Sequence, residues 1–192
     1  MSLLRKLYLK YFVPSGFGYG KYLKDRRSLQ YQGDKCFVSK GSELPDPYLL
    51  SIGNNVWITD GCRLLCHDAS VIMINIMQDS QLDQVGPIEI GDNCFLGNNV
   101  IVLPNIKIGP NTIVGSGAVV TRNLEGNGVY AGNPAKLVSS MNDYIEKATN
   151  RSRQFPWNRH LNKNAAHIYD ANLEATLRKE RIEYFFESQP NY

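Results

Sequence analysis

IGDNCFLGNNVIVLPNIKIGPNTIVGSGAVVTRNLEGNGVYAGNPAK, residues 90–136, repeats itself every six residues. Ile90, Leu96, Val102, Ile108, Val114 and Val120 are all branched aliphatics, and glycine follows at Gly91, Gly97, Gly109 and Gly115. With Leu, Ile and Val making up roughly a quarter of an ordinary chain, six hits in six occur by chance about once in several thousand trials, so the period is real. Six fits neither the helical turn of about 3.6 residues nor the alternation of a hairpin; it fits a solenoid of short strands joined by tight corners. The aliphatic residue points inward. Gly91-Asp92-Asn93, Gly97-Asn98-Asn99 and Gly109-Pro110-Asn111 turn the corners, because Gly and Asn enter the left-handed region cheaply. A second inward position, four residues on, is held by Cys94, Val100, Ile106, Thr112 and Ala118, small or branched as a narrow interior requires. The expected fold class is an all-β solenoid, a parallel β-helix in which each coil buries the next.

Working outward, Ile52, Ile58 and Leu64 open three more hexads, enough for one three-sided coil. Val38, Leu44 and Leu50 read as a degenerate first coil that slips by two residues before Ile52, with Pro45 and Pro47 marking a loop. After Leu64 the phase breaks, and residues 70–87 (SVIMINIMQDSQLDQVGP) read as a loop expelled from the solenoid, its ends near His67 and Ile88. Its Val71, Ile72, Met73, Ile74, Ile76 and Met77 are too apolar to stand in water and are expected against a neighbouring subunit or over a site. In residues 1–12, MSLLRKLYLKYF, helical spacing gathers Leu3, Leu4, Leu7, Tyr8, Tyr11 and Phe12 on one face and leaves Lys6 and Lys10 off it. Two roles are open for that helix: a cap on the open end of the solenoid, or an anchor on anionic membrane. Residues 14–27 read as irregular connection. The expected organisation is an N-terminal helix and connection (1–30), the solenoid (31–138, with loop 70–87) and a helical tail (139–192). In the tail Ser139 and Ser140 start one helix, Pro156 makes a break, and Asp170 caps a last helix carrying a Glu174–Arg178 pair.

A net charge of +3 over 192 residues gives no reason to expect nucleic acid, and no run of 18 apolar residues reads as a spanning helix. Without a clean secretory h-region a cytoplasmic location is expected, with residues 1–12 offering peripheral contact at the inner face of the membrane. Cys36, Cys62, Cys66 and Cys94 do not have the spacing of a zinc pair and read as core thiols, with neither disulfides nor a metal expected. His67 stands where the pattern stops and is the only histidine within the repeat, His160 and His167 lying in the tail. Asp68 falls where the repeat asks for a small inward residue, so either the register lapses there or a carboxylate faces inward. An imidazole is a natural general base for a hydroxyl or amine near neutral pH, and His67 with Asp68 is the candidate catalytic pair.

The coils IGDNCFLGNNVIVLPNIKIGPNTIVGSGAVVTRNL with VYAGNPAKLV resemble the terminal coils of the hexapeptide-repeat acyltransferases. The segment LLCHDAS is similar to the catalytic segment of the xenobiotic and sugar O-acetyltransferase branch. The resemblance covers residues 52–138 and implies a left-handed parallel β-helix, with acetyl-CoA as co-substrate and no metal. It also implies a homotrimer whose sites lie between subunits, His67 of one facing the coenzyme channel of the next. His67 matches the family's general base. Phe95, Ser116, Ala118, Thr121, Arg122 and Lys136 match the coenzyme wall, Phe95 standing where tryptophan is common and Asn105 where glycine is frequent. Arg153 and Trp157 of the tail are secondary candidates for ligand contact. The implied reaction is O-acetylation of a small-molecule or glycan acceptor, a sugar hydroxyl of polysaccharide or glycan biosynthesis. N-acetylation of an aminosugar and a non-catalytic scaffold stand as alternatives, while the metal-dependent relatives need more histidines than His67 alone.

Overall fold

The computed structural model describes residues 3–161 and 172–187, which divide into two units, Met1–Asn142 and Asp143–Tyr192. In the first unit, corners every six residues leave strands of two to five residues. One sheet stacks β1 (Tyr31–Gln32), β3 (Leu50–Ile52), β6 (Ile88–Ile90) and β9 (Ile106–Ile108). A second stacks β2 (Phe37–Val38), β4 (Trp57–Ile58), β7 (Cys94–Leu96), β10 (Thr112–Val114) and β12 (Gly128–Ala131), with β13 (Lys136–Ser140) added antiparallel at its end. The third stacks β5 (Arg63–Leu64), β8 (Ile101–Val102) and β11 (Val119–Val120). All neighbours but the last pair are parallel, and the chain visits the three sheets in rotation, so the backbone winds as a stack of three-sided coils.

The register stacks like on like. Val38, Ile58, Leu96, Val114 and Tyr130 form one interior column, Ile52, Ile90 and Ile108 a second, and Leu64, Val102 and Val120 a third. The six aliphatics of the opening stretch and the five second inward residues are all buried, Thr112 placing its hydroxyl on the Gly109 carbonyl. Each such aliphatic contributes about 1.5–3 kcal/mol on burial, so the interior columns hold the prism together. All four cysteines are buried free thiols.

The corners are built from left-handed residues. Asn55, Asn93, Asn111 and Asn127 have φ of 53°, 57°, 53° and 50°. Their side chains form a ladder along one edge, each Nδ2 donating to the next Oδ1 at 3.0, 3.1 and 2.9 Å. Trp57 Nε1 donates to Asn55 Oδ1 at 3.1 Å and closes the ladder at its start. Asn105 has φ of 61°, which explains why it can replace glycine.

Several expectations change. The first coil starts one hexad earlier, at Gln32, which pairs with Ile52, while Leu50 pairs with Ile88 and belongs to the second coil. The polar residue hid that hexad: Gln32 sits on the ladder and gives its Nε2 to the Gly20 carbonyl at 2.8 Å. Residues 14–27 contain a helix, α2 (Phe17–Asp25), after α1 (Leu3–Phe12). Gly20 within α2 serves a close approach, since a Cβ there would stand 2.2 Å from the Cys36 carbonyl oxygen. Tyr22 and Leu23 make α2 the helix that covers the first coil; the apolar face of α1 is largely exposed. The expelled segment is not all loop: it opens with α3 (Ser70–Gln78), only Val71 of which is buried.

In the second unit α4 (Met141–Gln154, its first two residues lying in the first unit) leads to a short 3-10 turn (Pro156–His160), and α5 (Glu174–Ile182) follows. Asp170 and His167 lie outside the described residues. Trp157 is buried among Phe155, Tyr184 and Phe185, with the Arg181 guanidinium over its ring. It is core of this unit rather than a ligand contact.

Candidate active site

Wherever the chain leaves the third sheet for the first it turns a corner, and at that corner two successive coils carry an insertion. The first coil inserts a 3-10 turn (Pro47–Leu49) preceded by Asp46. The second inserts α3 and the extended arm behind it, clamped at the root by Asp68 N–H to Gln84 O and Gly86 N–H to Cys66 O, both 2.9 Å. A bridge between His67 and Val85 completes the clamp. His67 is therefore held in short antiparallel pairing at the mouth of the insertion, as the break in the hexads suggested.

Asp46 faces it. The Asp46 carboxylate bonds His67 Nδ1, which leaves Nε2 as the ring nitrogen available to a substrate. Side-chain exposures of 44% for His67 and 16% for Asp46 make this a half-open pair, with the carboxylate on the sheltered side. Asp68 is placed differently from a catalytic partner. Its Oδ1 accepts the Ser70 N–H at 3.0 Å, and the Ser70 hydroxyl and amide hold its carboxyl below the usual carboxylate range. The repeat register lapses here, and Asp68 fastens the first turn of α3.

Thr121 and Arg122 follow β11 at the same corner, two coils beyond His67 and so about 10 Å along the prism at one strand spacing per coil. Both are exposed, as is Lys136 at the start of β13. Neither Arg122 nor Lys136 makes an ion pair among the described residues. Phe95 and Ser116 lie elsewhere: Phe95 projects from the second sheet beside Trp57, and Ser116 stands at the corner between the second and third sheets. One chain thus gathers Asp46, His67, Thr121 and Arg122, and holds Phe95 and Ser116 on another side of the prism. Ala118 presents no side chain to the surface. Its side chain is 0% exposed in the core, its N–H bonds the Gly115 carbonyl and its carbonyl takes the Ile101 N–H.

Burial pushes the Cys66 and Cys94 thiols up to about 11, helped at Cys66 by the nearby Asp46 charge, so neither is a ready nucleophile. Among the described residues no group of three or more His, Cys, Asp and Glu side chains converges as a metal site would.

Residues 87–122 match the family pattern described as Bacterial transferase hexapeptide (six repeats). The Staphylococcus aureus protein CapG is 39% identical over 127 residues, covering 66% of this chain and 72% of CapG. The chain belongs to the hexapeptide-repeat acyltransferases. As a member of that family it is an acetyltransferase. The galactoside O-acetyltransferase of Escherichia coli K12 is 27% identical over 130 residues, 68% of this chain and 60% of that enzyme. A solved galactoside acetyltransferase in complex with coenzyme A shares the fold with a TM-score of 0.54 at 21% identity, over 74% of this chain and 82% of that one.

The repeat pattern singles out His67 but not Asp46, the carboxylate that its ring bonds. The signal was available: Glu43 bridges Arg63, so Leu44 stacks beside Leu64 and Asp46 falls beside the Cys66–His67 step. The slip between Leu44 and Ile52 was itself the mark of a second insertion at that corner.

Proposed function

We propose that residues 31–138 form a left-handed parallel β-helix that transfers acetyl from acetyl-CoA to a hydroxyl of a sugar acceptor, with His67 as general base. The observation that carries this reading is the Asp46–His67 pair at the corner where both insertions leave the prism. With Nδ1 engaged by Asp46, the imidazole takes the acceptor's hydroxyl proton on Nε2 as the oxygen attacks the thioester carbonyl. The oxygen–acyl bond forms, the carbon–sulfur bond breaks, and the imidazolium returns its proton to the leaving thiolate. Asp46 holds the ring in orientation and stabilises the imidazolium between those steps. Arg122 and Lys136, exposed cations past the last full coil, suit the phosphates of the coenzyme.

The left-handed winding runs against the usual right-handed rule for parallel crossovers and is supported by family membership. A homotrimer is supported by the division of the wall. Phe95 and Ser116 cannot serve the His67 of their own chain from another side of the prism, but in a ring of like prisms they can serve a neighbour's. A sugar acceptor is supported by the galactoside O-acetyltransferase among the relatives. The test is release of free thiol from acetyl-CoA with a panel of sugars and sugar nucleotides. Wild type should release thiol with at least one acceptor and His67→Ala should not; equal turnover by the two would overturn the assignment.

A further inference from the structure

Of the two roles open to α1, cap and membrane anchor, the first is filled by α2, whose Tyr22 and Leu23 are buried over the first coil. Leu9 of α1 packs against the core cluster and its carbonyl accepts from Lys40 Nζ, so that side of the helix faces the prism. The other side is largely exposed, with Tyr8 touching Tyr22 of α2: Leu4, Leu7, Tyr8, Tyr11 and Phe12 are 79, 43, 48, 67 and 73% exposed. At about 150–250 Å² for each large side chain, the face offers roughly 500–700 Å² of apolar surface, at or above the largest patch of an ordinary monomer. The charge carried by the helix has one sign. No Asp or Glu occurs before Asp25, and Arg5, Lys6 and Lys10 belong to the helix itself. The next two cations, Lys21 and Lys24, are neutralised by Asp25 and Asp34.

We propose that α1 is an in-plane anchor that docks the chain on an anionic lipid bilayer. Leu4, Leu7, Tyr8, Tyr11 and Phe12 enter the boundary between headgroups and acyl chains, and the charge of Arg5, Lys6 and Lys10 draws the helix to acidic headgroups. An aromatic and aliphatic face on a short helix without acidic residues is what such a surface selects. A second copy is the less fitting occupant, because pairing α1 with α1 would set side by side two helices that each carry three cations and no acidic residue. The inference is independent of the acyl-transfer reading, since its measurement involves no turnover.

The full chain is sedimented with sucrose-loaded vesicles of phosphatidylcholine alone and of phosphatidylcholine with phosphatidylglycerol at about two to one. Wild type should bind the mixed vesicles, bind phosphatidylcholine at least tenfold less, and release as salt rises. Lys6→Gln with Lys10→Gln should weaken partition roughly fivefold per residue, about twenty-five-fold together. Leu4→Ser with Phe12→Ser should abolish it while leaving sedimentation velocity unchanged. Failure of wild type to bind mixed vesicles, or full binding by the Leu4/Phe12 variant, overturns the proposal. A smaller oligomer for that variant also overturns it and assigns the face to a second copy.

Discussion

Replacing Asp46 by Asn keeps the volume of the side chain and removes its charge, so it isolates what the carboxylate does for His67. In the proposed transfer step the ring would become an imidazolium beside that carboxylate. Two unit charges about 4 Å apart interact by ~4 kcal/mol at an effective dielectric near 20 and by ~1 kcal/mol in bulk water. With the ring 44% exposed the lower part of that range applies, about 1–3 kcal/mol. The corresponding loss in kcat is roughly 5- to 150-fold. It should appear in kcat and leave the KM for acetyl-CoA unchanged, because Asp46 acts through the ring. Asp46→Glu should recover part of the rate, whereas His67→Ala should lose about 10²–10⁴-fold. The assay is thiol release under saturating acetyl-CoA, with thermal unfolding run in parallel. An Asp46→Asn enzyme at wild-type kcat, with His67→Ala inactive, would show that the base needs no carboxylate and refute the orientation argument.

Three further outcomes follow from the prism. Leu96→Ala opens a void between Ile58 and Val114 in the second sheet's column and should cost about 2–5 kcal/mol in denaturant unfolding; a loss below about 1 kcal/mol would mean the column collapses freely. Asn93→Ala leaves a Cβ residue at φ of 57° and cuts two ladder bonds, and should lower stability by about 2 kcal/mol or more, with Asn93→Gly restoring only the backbone part. Cys66 and Cys94 titrate near 9 when unfolded and near 11 when folded, so the fold binds their protons more tightly. The stability they contribute is complete below about pH 9 and is lost as pH rises towards about 11. At pH 8 both should resist alkylation until the chain is unfolded, which labelling followed by mass spectrometry measures.

The interior columns were legible because burial imposes one residue class at one spacing, and nothing else in a chain does so for six hexads. Legibility ended where a residue served two masters. Gln32 occupies a ladder position and also ties down α2, so its polarity concealed the first coil. Gly20 sits in a stretch that reads as irregular connection, yet it lets a helix touch backbone. Asp68 adjoins His67 in sequence, but the carboxylate that meets the ring is Asp46, because in a solenoid close neighbours lie about one coil away. Ala118 matches the coenzyme wall by resemblance, whereas its hexad position places its side chain inside. In each case the repeat held more information about spatial adjacency than the chain order did.

The asparagine ladder sets a rule for how this molecule can change length. Every rung runs the same way, amide to carbonyl, and every rung needs a left-handed residue at the same corner. Adding or deleting a whole turn reproduces the rungs on either side of the join, whereas any fraction of a turn breaks corner and ladder together. The prism therefore counts in integers. The corner after the third sheet is exempt, because an excursion there leaves and returns through backbone bonds at its own root, as Cys66 to Gly86 does. Length can vary continuously there, beside Asp46 and His67, while the framework around it is copied turn for turn.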